Sequence, residues 1–202
     1  NYKEAEELYK LSISKKNDYS NAYVNFGNLK RDLNKFEEAI KLYKKALVNN
    51  DKVPSIHYML AMAYQSLGDF KQAENFAKKT IEIDKKYTKA DLLISRSKKY
   101  TSKDNHLMEM DEKIKNINLN ELEKIDLYFA LSKAYEDIGK MDQCFEYLEK
   151  GNELKRTNVN FDLNFEQKTF RDIKTIFSKI NFDKSKNKET NKKKIIFILG
   201  LP

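Results

Sequence analysis

Residues 54–83 read PSIHYMLAMAYQSLGDFKQAENFAKKTIEI, and this stretch decides the fold. Pro54 suits the first turn of a helix, where its missing N–H would have no intrahelical partner in any case. Leu60, Ala61 and Tyr64 then follow at three- and four-residue steps. This spacing predicts a helix with one buried face.

Gly68 and Asp69 separate this helix from a second one. Gly readily adopts the left-handed conformation that ends a helix, and an Asp side chain can cap the start of the next. The second helix has its own inner stripe of apolar and small residues, namely Phe70, Ala73, Ala77, Thr80 and Ile81. The whole stretch therefore predicts two antiparallel helices joined by a tight turn.

The same pattern returns every 34 residues, so this hairpin is one unit of a repeat. The columns that keep this spacing are Tyr2, Phe36 and Phe70; Ala5, Ala39 and Ala73; Leu33 and Leu67; and Gly27 and Ala61. A later copy is displaced, because Tyr64 and Tyr135 lie 71 residues apart, which is two periods plus three residues. The degenerate unit between them, about residues 88–118, is expected to hold a three-residue insertion.

These columns resemble the tetratricopeptide-repeat family, whose pattern is aromatic-x2-Leu-Gly-x2-Tyr, then Ala-x3-Phe, then Pro. The copies in this chain are Tyr23-x2-Phe26-Gly27 with Ala39-x3-Tyr43; Leu60-Ala61-x2-Tyr64 with Gly68 and Ala73; and Tyr128-x2-Leu131-Ser132-x2-Tyr135 with Gly139. Lys30 departs from the pattern by replacing the usual Tyr. The resemblance implies an all-α solenoid over residues 1–156, with about four units, of which the first is partial and the third degenerate.

The resemblance also implies a concave groove, lined by the first helix of each pair, that binds a protein or peptide. By repeat register the groove residues are Asn21, Val24, Asn28, Arg31, Ser55, Tyr58, Met62, Gln65, Lys89, Arg96 and Lys99. This face is polar and basic, which favours an acidic or carboxylate-bearing partner. Asn28 and Lys89 could belong to the clamp for a C-terminal carboxylate known in this family, although Val24 stands where that clamp would have a Lys.

Composition narrows the classes of partner. The 202 residues carry a net charge of +8 and one Cys, and no apolar run is long enough to span a bilayer. The basic run at residues 181–194 supplies about half of the excess charge but lacks interleaved aromatic residues, so it is interpreted as a linker and no nucleic-acid or membrane partner is expected. A single Cys suits a reducing compartment, and a cytoplasmic location is expected.

The isolated titratable residues do not predict an active site or a metal site. His57 lies in an aromatic column and Cys144 in a small-residue column, so both are expected to be packed in the core. His106 has only Asp104 and Glu109 nearby in the sequence. A metal ion would require more ligands at fixed spacing.

The last part of the chain follows a different pattern. An apolar stripe within residues 157–180 predicts a bridging helix that docks on its neighbours. The run IIFIL, which opens residues 195–202, is typical of a buried parallel strand. Gly200, Leu201 and Pro202 begin a turn after it, where phosphate-binding loops start. The predicted architecture is an all-α solenoid, a bridging helix and the first strand of a truncated α/β P-loop-like domain, and the chain is expected to be cut from a longer protein.

The order of segments from Gly139 to Pro202 resembles the junction in bacterial proteins that fuse tetratricopeptide repeats to a sulfotransferase domain. That resemblance implies a parent enzyme using 3′-phosphoadenylyl sulfate, held by an Arg-Ser-Gly-Thr loop beyond this chain, with Gly200, Leu201 and Pro202 at the start of the cofactor site. The chain itself would hold no cofactor and could not transfer a sulfonate group alone. Two alternatives stay open: a stand-alone non-enzymatic scaffold, and a fusion to another P-loop enzyme such as a kinase.

Overall fold

The computed structural model describes residues 2–15, 20–48, 50–158 and 163–179, and every regular element in these ranges is an α-helix. The helices are α1 (Tyr2–Lys15), α2 (Ser20–Asp32), α3 (Phe36–Ala46), α4 (Pro54–Ser66), α5 (Phe70–Ile83), α6 (Thr88–Ser97), α7 (Asn105–Asn116), α8 (Glu121–Asp137), α9 (Met141–Asn158) and α10 (Leu163–Lys179). The chain divides into two compact units, residues 1–159 and 160–202. The first unit contains α1–α9 and the second contains α10.

Helices α2–α9 of the first unit form four consecutive pairs. Helices α2 and α3, α4 and α5, and α8 and α9 pack closely against each other, while α1 packs on α2. Successive pairs are joined through contacts of α3 with α4, of α5 with α6, and of α6 with α8. Each pair therefore buries its apolar side against the next, which confirms the predicted all-helical solenoid.

The turns within the pairs use the residues that the sequence marks. Gly68 has a φ of 78° and Gly139 a φ of 74°, and Asn34 occupies the same column with a φ of 58°. Asn is one of the few residues other than Gly that enters this left-handed region readily. The Asp69 carboxylate caps α5 by accepting a hydrogen bond from the Gln72 backbone N–H at 3.1 Å. These short turns fold each second helix back along its first.

Small side chains let the paired helices approach closely. Ala39 and Ala73 are fully buried, and the ring of Tyr43 lies directly over Gly27. A Cβ added at Gly27 would lie 2.5 Å from Tyr43 Cε1, which leaves no space for a methyl group. The prediction that Phe70 belongs to the inner stripe of α5 is wrong, because its side chain is 51% exposed. Phe70 is the first residue of α5, and the buried part of this helix begins one turn later, at Ala73.

The third pair is irregular. Helix α6 has only 10 residues, against 13 in α4 and 17 in α8. The connection to α7 runs over seven residues, 98–104, whereas each of the other three pairs uses a connection of three. The backbones of α6 and α7 stay further apart than those of the other pairs, and α7 packs on α8 instead. The shorter α6 offsets most of the longer connection, because α7 begins 35 residues after α5, and most of the three-residue slip therefore falls after the start of α7.

A buried polar cluster joins α6 to α7 in place of close backbone packing. Asp91 of α6 contacts two residues of α7: its Oδ2 lies 2.6 Å from Lys113 Nζ and its Oδ1 lies 3.1 Å from His106 Nε2. The Tyr100 hydroxyl, from the connection, lies 2.6 Å from His106 Nδ1. The four side chains are at most 6% exposed. The name buried polar cluster is used below for Asp91, Tyr100, His106 and Lys113.

Helix α10, in the second unit, is amphipathic. Its Phe170, Ile173, Ile176 and Phe177 follow the helical spacing predicted from the sequence and are each at least 44% exposed. The docking predicted for this helix stays a prediction. The basic linker and the strand predicted after α10, together with Gly200, Leu201 and Pro202, lie outside the described residues.

Candidate binding face

The predicted groove residues come from the first helix of successive pairs. Helices α2, α4 and α6 carry all but one of them, and α6 packs between α4 and α8. The name first-helix face is used below for the predicted positions on α2, α4 and α6 together with the equivalent positions on α8. The residues at these positions differ in how far their polar groups are already engaged within the protein.

On α2, two of the four predicted residues already have partners. The Asn28 side-chain oxygen accepts a hydrogen bond from the Tyr43 hydroxyl at 2.9 Å. Arg31 pairs with its neighbour Asp32, with Nη2 and Oδ1 3.1 Å apart. Val24 packs against the core and Asn21 is exposed. A clamp built on the amide of Asn28 would have to compete with the Tyr43 hydroxyl.

On α4, the predicted residues pack against α6 and its start. The ring of Tyr58 contacts that of Tyr87, with centroids 5.1 Å apart. Gln65 donates from Nε2 to Ser97 Oγ at 2.9 Å, which ties α4 to the end of α6. The remaining residues, Met62 and Ser55, are half-buried.

On α6, the two cations Lys89 and Arg96 are exposed and form no ion pair within the described part of the chain. They lie seven residues apart, which is about 10 Å along a helix axis. Lys99 does not share their helix, because α6 ends at Ser97 and Lys99 falls in the connection. The prediction that placed Lys99 in the same helical register is therefore wrong, since it assumed that α6 is as long as α4.

Asp126 on α8 belongs to the first-helix face but is not among the predicted groove residues. Asp126 stands 37 residues after Lys89, so the three-residue slip of the fourth copy puts both in the column of Asn21 and Ser55. Its side chain is half-buried. Burial raises the pKa of the Asp126 carboxyl, while Lys89 and Arg96 act in the opposite direction. Continuing the register through the insertion would have found this residue.

The hydroxyl of Tyr58 belongs to the same group of charges. Burial is the main cause that raises its pKa, Tyr87 and Asp126 add to the effect, and Arg96 opposes it. Tyr58, Lys89, Arg96 and Asp126 therefore influence one another across α4, α6 and α8. The face has both signs of charge here and is not uniformly basic.

The other singled-out residues are part of the core. His57 is 5% exposed and stacks on Phe76 with ring centroids 6.1 Å apart, while Cys144 is 4% exposed and lies 3.4 Å from Ser132 Oγ. Both predictions of a packed position are confirmed. His106 joins the buried polar cluster, and the described residues contain no group of three or more ligating side chains that could hold a metal ion.

A cavity of about 970 Å³ lies away from the first-helix face, between α5 and α7. It opens where α7 leaves its partner helix. The charged residues that line it have both signs, namely Lys78, Glu82, Lys85, Lys98, Lys103, Asp104, Glu109, Glu112 and Lys113. Lys98 is already paired with Asp104, with Nζ and Oδ2 2.8 Å apart. This mixture does not point to one class of ligand.

Family models support the repeat assignment. A model described as TPR repeat matches residues 27–68, and one described as tetratricopeptide repeat matches residues 54–87 and 125–158. These segments include the second helix pair and all but the first turn of the α8–α9 pair, and these parts of the chain match tetratricopeptide repeats.

Solved structures share the fold at low sequence identity. The crystal structure of MamA superposes with a TM-score of 0.62 at 18% identity, covering 79% of this chain and 92% of that one. YrrB, described as a TPR protein with an unusual peptide-binding site, gives 0.57 at 17% identity, covering 77% and 78%. At these identities the likeness concerns the fold alone.

A relative by sequence is an uncharacterized protein of Aquifex aeolicus. It is 21% identical over 190 residues, which cover 94% of this chain and 25% of the relative. The chain thus spans about a quarter of that protein's length. Within the described ranges, no helix combines the length and hydropathy needed to cross a membrane.

Proposed function

We propose that this tetratricopeptide-repeat protein is an interaction module that binds a peptide segment of a partner protein on its first-helix face. The single observation that carries the proposal is that two exposed cations on α6, Lys89 and Arg96, lie between polar residues of α4 and α8. Lys89 and Arg96 gain nothing from ion pairs inside the described chain. Their charges are therefore free to contact a partner.

The side-chain contacts between α4 and α6 support this proposal. The Tyr58–Tyr87 ring contact and the Gln65–Ser97 hydrogen bond fix α4 relative to α6. A preorganised face loses less entropy when an extended segment binds. The peptide-binding site named for YrrB, which has the same fold, is consistent with this use of the repeats.

Charge reversal on α6 tests the proposal. The probe is a fluorescein-labelled peptide of alternating Asp and Ala, and its binding is measured by fluorescence anisotropy. Lys89→Glu combined with Arg96→Glu is expected to weaken binding about tenfold, because each exposed ion pair contributes up to about 1 kcal/mol. The ionic-strength dependence should also become shallower.

A matched pair of variants controls for net charge. Lys41→Glu with Lys71→Glu changes the charge by the same amount on the second helices α3 and α5, where both lysines are exposed. These variants should leave the affinity within about twofold of the parent. Equal losses in the two pairs, or no binding of the acidic probe to the parent chain, would refute an acidic ligand on the first-helix face.

The parent protein is a separate proposal. The order of segments from Gly139 to Pro202 supports a fusion in which these repeats position the acceptor for a sulfotransferase using 3′-phosphoadenylyl sulfate. The repeats serve equally well as a stand-alone scaffold or as part of another P-loop enzyme. Gly200, Leu201 and Pro202 lie outside the described residues. The coding sequence after Pro202 decides: an Arg-Ser-Gly-Thr loop supports the sulfotransferase, Gly-Lys-Ser/Thr another P-loop enzyme, and a stop codon the scaffold.

A further inference from the structure

Helix α10 exposes a whole apolar face. Its large apolar side chains are each at least 44% exposed, and they are Leu163, Phe165, Phe170, Ile173, Ile176 and Phe177. At about 100° of rotation per residue, these six positions fall within an arc of about 160° on one side of the helix. A contiguous exposed apolar surface of this kind is typical of a site that contacts another protein or a membrane.

Two polar residues, Glu166 and Thr169, fall within the same arc. The Thr169 hydroxyl donates to the Phe165 carbonyl oxygen at 3.0 Å, so its hydrogen bond is made within the helix and its methyl group adds to the apolar surface. Glu166 lies in the first turn, where the positive end of the helix dipole favours an acidic side chain. Beyond its first turn, the arc therefore has no polar group that needs a partner outside the helix.

The rest of the circumference of α10 carries positive charge. Lys168, Arg171 and Lys174 are exposed and form no ion pair within 4.0 Å among the described residues. Arg171 lies near the middle of the polar side, while Lys168 and Lys174 lie toward its two borders with the apolar arc. Residues 163–179 hold four cations and two anions, and residues 181–194, which follow in the sequence, hold six Lys against one Asp and one Glu.

We propose that α10 lies in the headgroup region of an anionic membrane surface and anchors the protein there. Cations beside a broad apolar arc complement a bilayer, in which anionic headgroups lie directly above the acyl chains. The helix has 17 residues, is about 25 Å long and carries six charged residues, so it lies along the surface and does not cross the bilayer.

The membrane contact is independent of the proposed peptide binding, because it concerns only the second unit of the chain. It changes the expectation, drawn from the basic run alone, that the protein has no membrane partner. The basic run lacks an apolar surface of its own, and α10 presents one immediately before it. Apolar burial and electrostatic attraction then act together, which is the combination that stable attachment to a membrane surface requires.

Vesicle flotation of the full chain tests the proposal. The vesicles contain phosphatidylcholine alone, or phosphatidylcholine with about a third of phosphatidylserine as the anionic lipid. The parent protein is expected to bind the anionic vesicles at least about tenfold more tightly than the neutral ones, because each Lys or Arg near an anionic surface contributes about fivefold. High salt should reduce this difference.

Paired variants locate the contact. Phe170→Ala with Phe177→Ala removes two rings from the apolar arc and should weaken binding to the anionic vesicles at least about tenfold. Phe70→Ala with Phe145→Ala removes two rings of the first unit, which are 51% and 62% exposed, and should leave that binding unchanged. Glu166→Gln removes the negative charge from the arc and should strengthen it.

A single Trp reports where α10 lies. The sequence contains no Trp, so the fluorescence of a Phe177→Trp variant comes from this helix alone. On the anionic vesicles its emission should shift to shorter wavelength, and lipids brominated on their acyl chains should quench it.

Several outcomes overturn the membrane contact. Binding that Phe170→Ala with Phe177→Ala leaves unchanged would assign the attraction to the lysine-rich run alone, and equal losses in the two Phe pairs would exclude a specific role of α10. A dimer that dissociates in the α10 variant, seen by light scattering without vesicle binding, would assign the apolar arc to a second copy of the chain. A monomer that floats with neither kind of vesicle would exclude both of these partners.

Discussion

Removing the Asp91 carboxylate should destabilise the third helix pair more than any surface change. Asp91 is 1% exposed and holds the Lys113 ammonium at 2.6 Å and His106 Nε2 at 3.1 Å. In Asp91→Ala the ammonium of Lys113, itself 6% exposed, stays buried without a counter-charge. Breaking a buried pair in this way typically costs about 3–5 kcal/mol.

An exposed ion pair in the same protein serves as a comparison for this loss of stability. Lys150 and Glu146 form an i,i+4 pair on α9, with side chains 46% and 56% exposed. Solvent screens such a pair, so Lys150→Ala should cost about 0.5 kcal/mol or less. The expected difference between the two variants is well above the uncertainty of a denaturation experiment.

Urea denaturation, monitored by circular dichroism, measures the free energy of unfolding of both variants. Amide hydrogen exchange shows which helices lose stability. Amide exchange should accelerate most in α7. Helix α7 is held to α6 by side chains, whereas the two helices of each other pair also have closely packed backbones. The double variant Asp91→Leu with Lys113→Met should recover part of the loss, because an apolar pair needs no counter-charge while His106 Nε2 still loses its partner. A loss below about 1 kcal/mol for Asp91→Ala, or faster exchange outside α6 and α7 only, would show that the buried polar cluster does not hold the pair.

Two further changes probe the first helix pair, α2 and α3. Lys30 Nζ contacts Glu6 and Glu38, and its hydrogen bond to Glu38 lowers the pKa of the Glu38 carboxyl below its ordinary value of 4.5. The stabilisation from this lowered pKa is present above pH 4.5 and is lost as the pH falls through the lower pKa of the folded state. Lys30→Met should therefore flatten the acid side of a plot of the free energy of unfolding against pH, and an unchanged slope would contradict the ion pairs. Gly27→Ala should lower the free energy of unfolding by about 1–3 kcal/mol, because its methyl group overlaps Tyr43, and Gly27→Ala with Tyr43→Leu should regain part of that loss in the same urea assay.

Much of the fold could be predicted because each repeat unit has the same turns and helix contacts, which place similar residues at a constant spacing in the sequence. The turn residues illustrate this, since Gly68, Gly139 and Asn34 each sit where the chain must enter the left-handed region. Pro54 likewise stands at the start of α4 as predicted. A repeated constraint leaves a repeated signal, and several columns with one spacing were enough to identify it.

The third pair could not be predicted in the same way. Asp91 and His106 differ from the residues 34 positions earlier, His57 and Gln72, and charged residues on helices normally face solvent. Their burial depends on one another, because each satisfies the group that would make another too costly to bury. Only the three-dimensional arrangement reveals that mutual dependence.

The candidate site could be predicted in part. Lys89 and Arg96 followed from the repeat register, while Asp126 required carrying the register through the insertion.

Helix α6 connects the buried polar cluster to the first-helix face. It is the shortest helix of the first unit, and charges point from it in both directions: Asp91 toward α7, and Lys89 and Arg96 toward the proposed ligand. Burial is the main cause that raises the pKa of Asp126, and Asp91 adds a smaller effect from the other side of this helix. The degenerate third repeat therefore borders the part of the face where charges of both signs meet. Degeneracy in a repeat sequence can indicate a change from periodic packing to a specific site, because only a unit released from the common pattern can carry residues the others lack.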